Sequence, residues 1–453
     1  MYRISIVVLF LINFLHATAG THDQDTSSIN SAIIAEEVRN EFMRSWNAYK
    51  KYAWGHDGLK PLSKSYYDWY STSFFMTAVD ALDTMILMGF EEEADSTREY
   101  IVKHLSFEQD VYVKNFEFTI RLLGGLLSSF QLTNDKRLLA LAKDLGDRLL
   151  PAFESPTGMP YVYVNLKTGA VRDSLSNPAE IGTLLLEFGT LSKLTGDAKY
   201  YNIAKYALLQ LYAARSEIDL VGERIDITTA KWIKTESHIS GAIDSYYEYL
   251  LKCRILFEDD DCGIMWETSL LAIDRYLADD TPTGRWYGRA DMNTGKRTAT
   301  TFGALDAFFP AVLVLAGDLK GAAELEESCH KMWNAHGIEP EVFDYATMKV
   351  VSPPYYLNPE IIESAYYLYR ATGDDRFLRM GKTYFESLKK YCRTDEAFAE
   401  LKSVITKEQS DRMESYFMAE TMKYLYLLFA PPETLDFNGV VFNTEAHPIQ
   451  RTW

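Results

Sequence analysis

Residues 178–212 read PAEIGTLLLEFGTLSKLTGDAKYYNIAKYALLQLY, and this stretch decides the fold. Its first half, up to Leu194, is apolar around almost its whole circumference, the pattern of a helix covered on two sides. The second half, from Ala198, is amphipathic and has one side to bury. Between them stand Gly196, a helix terminator, and Asp197, a helix starter. The segment is therefore one buried helix turning back into one half-exposed helix.

The same turn recurs along the chain. LTNDKRLL carries it at Asp135, LFEDDDCG near Asp259, LAGDLKGA at Asp318 and ATGDDRFL at Asp374, and with Asp197 the successive spacings are 62, 62, 59 and 56 residues. Two units follow the pattern less strictly, MILMGFEEEADSTREY around Glu91 and YLYLLFAPPETLDF around Pro431. A period near 60 that holds two helices predicts stacked αα-hairpins. Seven turns imply seven buried first helices, and a helix near Ile33 to Tyr49 supplies the remaining outer member. The chain is read as all-α, a closed ring of seven inner and seven outer helices. An open solenoid would show polar end-capping repeats, and none is evident. At 453 residues the chain is long for one ordinary core, which a repetitive architecture accommodates.

Short alternating stretches such as GMPYVYVNLKTGAV and GERIDITTAKWI predict β-hairpins at one rim. VVFNTEAHP, residues 440–448, belongs with them. A terminal strand in a ring either hangs free or enters the hole, and apolar Val440, Val441 and Phe442 favour entry as a plug.

Acids fall at matching depth in the buried helices. Glu117, Glu180, Asp244, Asp306 and Glu360 lie 18, 17, 15, 12 and 14 residues before their turns. Parallel inner helices would gather them at one end of the ring, where like charges need a cation, a proton or a substrate. Any one of them alone reads better as a satisfied structural carboxylate; five at matching depth do not. In NPEIIES, Asn358 is placed as an N-cap and Pro359 as the first helical residue, with Glu360 kept ionised by the helix dipole and Glu363 one turn on. Arg121 follows Glu117 by four residues, either as a helix ion pair or to orient it. In DRMESYFMAET, Glu414 and Glu420 flank Tyr416 and Phe417, a platform suited to a sugar face.

Composition narrows the chemistry. A formal charge of −18, with no basic stripe, excludes nucleic acid as a partner. No His-Glu-x-x-His, Cys-x-x-Cys, Gly-x-Ser-x-Gly or phosphate-binding Gly-Lys-Ser/Thr motif is present. The 30 Tyr, 24 Phe and 8 Trp fill a core and leave some over for a ring-shaped ligand. Residues 1–20, MYRISIVVLFLINFLHATAG, have the charged start, apolar run and small-residue end of a secretory signal, with no transmembrane span left after cleavage. Residues 21–453 are then one domain. Cys253, Cys262, Cys329 and Cys392 are too few for a disulfide scaffold, although Cys253 and Cys262 flank a turn they would staple if bridged. Carboxylate chemistry in an aromatic pocket of the secretory pathway fits glycoside hydrolysis.

FEFTIRLLGGLLSS, GAIDSYYEYLLK, PEIIESAYYLYRATGD, DRMESYFMAETMKYLYLLF and VFNTEAHPI together resemble, in order, the signature blocks of the class I α-mannosidases, glycoside hydrolase family 47. LLPAFESPTGMPY, ARSEIDLVGERIDITTAKW and LDAFFPAVLVLAGD are most similar to the endoplasmic reticulum degradation-enhancing α-mannosidase-like (EDEM) group. The resemblance implies an (α/α)7 barrel plugged by a C-terminal β-hairpin. It also implies inverting removal of α-1,2-linked mannose from high-mannose N-glycans on misfolded glycoproteins, with Ca2+ at the floor and the endoplasmic reticulum lumen as location, a secreted form being an option. By motif, Glu117 is the general acid, Glu360 the general base and Asp244 the third essential carboxylate. Arg121, Glu363, Tyr416, Glu420 and Glu445 shape the sugar pocket, and Thr444 binds calcium. A mannose-binding factor without turnover is the alternative on the same scaffold. A protein disulfide isomerase-like oxidoreductase is a candidate partner through a free Cys. Three positions depart from the family pattern. Asn358 replaces Arg before Pro-Glu, Asp306 stands where a disulfide partner of Cys329 is usual, and Gly303-Ala304 replaces Asp-His.

Overall fold

A computed structural model describes residues 29–453, and the signal sequence read at residues 1–20 lies outside them. Seven outer helices run Ser31–Tyr52, Glu91–His104, Lys136–Leu149, Lys199–Ala213, Asp260–Tyr276, Leu319–His336 and Asp375–Tyr391. Seven inner helices occupy 76–87, 115–133, 178–195, Asp244–Phe257, 305–316, Glu360–Thr372 and 417–429, and are called first to seventh in that order. Each inner helix packs on the next. The seventh meets the first and also the N-terminal outer helix, so the ring closes as an (α/α)7 barrel.

The repeated turn has one physical design. The residue before each Asp is left-handed: Asn134 (φ 58°), Gly196 (76°), Glu258 (55°), Gly317 (88°) and Gly373 (68°). It ends the inner helix, and the Asp carboxylate then accepts a backbone N–H of the outer helix, from Arg137, Lys199, Cys262, Gly321 and Arg376 in turn. Such a cap is worth about 1 kcal/mol. Two of the five carry side chains: Asn134 is of a type that tolerates the left-handed region, whereas Glu258 costs the turn about 1–2 kcal/mol that glycine would avoid.

Among the described residues six small antiparallel sheets edge the barrel, and a seventh is the C-terminal hairpin. Most three-stranded ones take one strand from just before an inner helix and a hairpin from just before the next, as in Leu175–Ser176 with Arg224–Asp226 and Lys231–Lys234. They therefore bind the rim at the end where inner helices begin. A second repeat sits in their turns. NLKTG at 165, DITTA at 226, DMNTG at 291 and DYATM at 344 each cap their own loop through the first side chain. Each closes on a left-handed fifth residue, Gly169, Ala230, Gly295 or Met348.

Val440–Phe442 pairs with Pro448–Gln450, and this hairpin fills the barrel as the sequence predicts. Asn443 ties its tip, donating to Ile120 C=O and Glu187 Oε1, both at 2.8 Å, while its own oxygen accepts from the Glu445 and His447 backbones. Below it, Lys423 Nζ sits 2.8 Å from Asp83 and donates to Ala446 C=O, and His447 Nδ1 lies 2.7 Å from Asp83. All three side chains are fully buried.

The four cysteines are free and buried. Cys253 faces Cys262 across its turn without a bridge, so the staple is not closed in this structure. No sulfur reaches the surface for a mixed disulfide with an oxidoreductase. Among the described residues no helix is long and apolar enough to cross a membrane.

Candidate active site

The inner helices open onto a cavity of about 380 Å³ at the end where they begin. Its lining includes Glu117 and Arg121 from the second inner helix, Glu180 from the third, Asp244 from the fourth and Glu360 from the sixth. Tyr416 and Glu420 come from the seventh helix region, and Thr444 and Glu445 from the plug. The ring order puts the second and sixth helices almost opposite each other, with the fourth between them on one side.

Two of the predicted residues stand elsewhere. Glu363 lies behind the wall, its Oε1 accepting from Tyr424 O–H at 3.0 Å with Lys252 3.9 Å away. Asp306 is buried beside the rim sheet, accepting from Gly303 N–H at 2.9 Å, because its helix begins as a tight 3-10 turn that points the carboxylate into the sheet. Glu341, from the neighbouring strand region, supplies an acid to the cavity instead. Nothing in the helical register marks Glu341, so the count of acids before turns misses it.

Local backbone explains the placement of the others. The turn Phe118–Leu123 is widened to π spacing just after Glu117, and Phe417–Thr421 is widened around Glu420. Such turns open the helix ladder at the point where a side chain must reach inward. Arg121 uses this to bridge two acids, donating Nε to Glu117 at 2.9 Å and Nη1 to Glu445 at 2.6 Å. The pair is thus more than a helix-surface contact. Phe417 is fully buried against Phe398, so the aromatic shelf is Tyr416 alone, whose hydroxyl donates to Tyr356 C=O at 2.7 Å.

Asn177 and Asn358 show how one motif gives two outcomes. Asn177 caps the third inner helix by accepting from Glu180 N–H at 2.9 Å. Asn358 does not cap the sixth. Leu357 before it is left-handed (φ 65°), the helix begins at Glu360, and the Asn358 oxygen accepts from Tyr356 N–H at 3.2 Å.

Burial then governs the charges. It pushes Glu360 well above the usual carboxylate range, with Glu363 and Glu341 adding to it, against the pull of the helix terminus. Burial likewise lifts Asp244 to about 7 despite the Ser245 N–H it accepts, and Glu445 to about 8 despite Arg121. Glu420 is raised by burial and then by Glu445. Glu360 Oε2 is buried without a hydrogen-bond partner. Lys114, 2.6 Å from Glu180, and Arg121 are the two cations set against seven lining acids, so the cavity is short of positive charge.

That deficit, with seven carboxylates and the Thr444 hydroxyl in the lining and neither His nor Cys, fits a hard cation such as calcium. Among the described residues the one set of three His, Cys, Asp or Glu side chains converging within 4.8 Å is Glu223, Glu236 and His238, away from the cavity. The floor acids therefore do not meet at one point. The Glu223 cluster does not suit a metal. His238 Nδ1 accepts from Ser240 N–H at 3.1 Å, which leaves the proton on the Nε2 that would have to bind.

The sequence profile of glycosyl hydrolase family 47 matches residues 41–451. The chain belongs to this family. It is a glycoside hydrolase by that membership. Alpha-mannosidase I MNS5 of Arabidopsis thaliana is 37% identical over 444 residues, covering 92% of this chain and 76% of the relative. Human ER degradation-enhancing alpha-mannosidase-like protein 2 is 35% identical over 489 residues, covering 99% and 83%. The solved alpha-1,2-mannosidase from Trichoderma reesei superposes with a TM-score of 0.85 at 29% identity, covering 92% of this chain and 99% of that one.

Proposed function

We propose that this chain is a calcium-dependent, inverting α-1,2-mannosidase that trims high-mannose N-glycans of misfolded glycoproteins in the endoplasmic reticulum lumen. The observation that carries the reading is the placement of Glu117 and Glu360 on nearly opposite walls of one cavity, with Asp244 between them. Inverting glycosidases need their two carboxyl groups about 6.5–9.5 Å apart to admit a water, a wider gap than retention uses. The matches to alpha-mannosidases, among them one named for endoplasmic reticulum degradation, support the substrate and the compartment.

Glu117 is the general acid, delivering a proton to the leaving oxygen while Arg121 fixes its carboxyl group. Glu360 is the general base for the attacking water, and Asp244 completes the acid set. Tyr416 offers a ring face to the sugar, and Glu420 and Glu445 accept its hydroxyls. Calcium held by Thr444 supplies, when bound, the positive charge that lets Glu360 ionise and that acidifies the water. Residues 21–453 form the catalytic domain in this reading, released from a signal sequence at 1–20. A second reading, mannose binding without turnover, draws on Asn358, which brings no charge to the cavity.

Purified protein with a high-mannose glycan and calcium should release mannose, and Glu117→Gln should lower kcat by about 10²–10⁴-fold. Equal release from both proteins would remove Glu117 from its role. Absence of release from either, with glycan binding retained, would favour the binding reading.

A further inference from the structure

A second pocket, of about 340 Å³, lies on the far side of Tyr416 from the cavity, and Tyr356 and Tyr416 line both. Trp69, Glu400, Arg412 and Glu414 complete it. The two pockets share a wall, closed by the hydrogen bond from the Tyr416 hydroxyl to Tyr356 C=O. Arg121 backs that wall, with its guanidinium 5.2 Å from the Trp69 ring centroid and 5.6 Å from that of Tyr416.

The second pocket has a mostly apolar, aromatic lining with three charged groups that nearly cancel. Arg412 pairs with Glu414 and lies 3.8 Å over the Tyr67 ring, and Tyr67 O–H donates to Glu414 at 2.7 Å, so that charge is cancelled and the wall fixed. Glu400 is 5% exposed, with Ser410 O–H donating to one oxygen at 3.2 Å. Burial, then Glu414, raises its carboxyl to about 7, so near neutral pH it both donates and accepts. Aromatic faces take the C–H face of a sugar ring, and a carboxyl beside a guanidinium takes its hydroxyls. Phosphate would meet Glu400 and Glu414, and a cation would meet Arg412.

We propose that this side pocket is a second saccharide subsite, which holds an uncleaved arm of a branched glycan while the cavity holds the terminal mannose that is removed. The assignment rests on the mannosidase reading for its ligand. It explains why Tyr416 and Tyr356 present surfaces to both spaces, and it makes branching part of substrate recognition.

The test compares Glu400→Ala, which removes the hydrogen-bonding acid, and Glu400→Gln, which keeps its shape, with the parent chain. Substrates are a branched high-mannose glycan and α-1,2-linked mannobiose, which is too short to fill both pockets. In Glu400→Ala the KM for the branched glycan should rise about fivefold, the worth of one hydrogen bond, and less in Glu400→Gln. Its kcat, and kcat/KM on mannobiose, should not change. An unchanged KM, or equal losses on both substrates, overturns the subsite; if Glu400→Ala does not fold, Glu400→Gln decides by the same criteria. If the parent chain cleaves neither substrate, the mannosidase reading fails separately. Calorimetric titration of the branched glycan then judges the pocket: about fivefold weaker binding by the Glu400 variant upholds it, and unchanged or undetectable binding overturns it.

Discussion

Two clusters of buried charge lie one above the other in the barrel, and they are built on opposite principles. Beneath the plug, Asp83 meets Lys423 at 2.8 Å and His447 at 2.7 Å, and every one of these groups is fully buried. Burial works against ionisation there and loses, since Lys423 and His447 bring Asp83 down to about 2, and Asp83 and Asp80 raise His447 to about 9. Above the plug, burial wins at Asp244, Glu360, Glu420 and Glu445, which are all raised. A compensated buried ion set is an anchor. An uncompensated one is a site waiting for a proton, a cation or a substrate.

Removing residues 444–453 should erase the difference altogether, because it deletes Thr444 and Glu445 from the cavity and His447 from the anchor. Calcium binding followed by calorimetry and mannose release should both be lost; retention of either would show that the plug is only a frayed terminus. Lys423→Met touches the anchor alone. It leaves Asp83 short of its cation and should cost about 3–5 kcal/mol in denaturant unfolding. A loss under about 1 kcal/mol would mean the anchor is not held by this pair.

The anchor also has a pH signature. His447 stands at about 9 against an ordinary 6.5, so its contribution is full below about pH 6.5 and is lost as pH rises through about 9. Asp83 stands at about 2 against 3.8, so its contribution is present above about pH 4 and is lost as pH falls through about 2. The melting-temperature gap between the parent chain and His447→Gln should therefore be widest near pH 5–6 and shrink towards pH 9. A gap that grows with pH would reverse the sign and break the assignment. Asp374→Ala belongs to neither cluster and sets the scale of an ordinary turn, about 1 kcal/mol from one lost cap.

Much of this was legible in the chain, and what was not has a common cause. The five Asp turns predict the ring because helix termination and capping are local acts of adjacent residues. The [Asn/Asp]-x-x-Thr-x hairpin repeat was equally local and was available by the same kind of count, yet alternation alone does not show it. Asn358 misled because its twin Asn177 caps as expected, whereas a left-handed Leu357 delays the next helix by one residue. Phe417 and Glu363 carry the right chemistry on the wrong face. Nothing local marks Asp80, Asp83 and Lys423, since each reads as one charge in an apolar helix and its partner lies hundreds of residues away.

By itself the sequence determined the period, the Asp-capped turns and the depth at which Glu117, Glu180, Asp244 and Glu360 enter the barrel, because each depends on neighbours within a few residues. Only the tertiary structure decided which buried charges are paired and which are left bare. That distinction is made by closing the ring and seating the plug, which bring Asp83 to His447 and withhold any such partner from Glu360 Oε2.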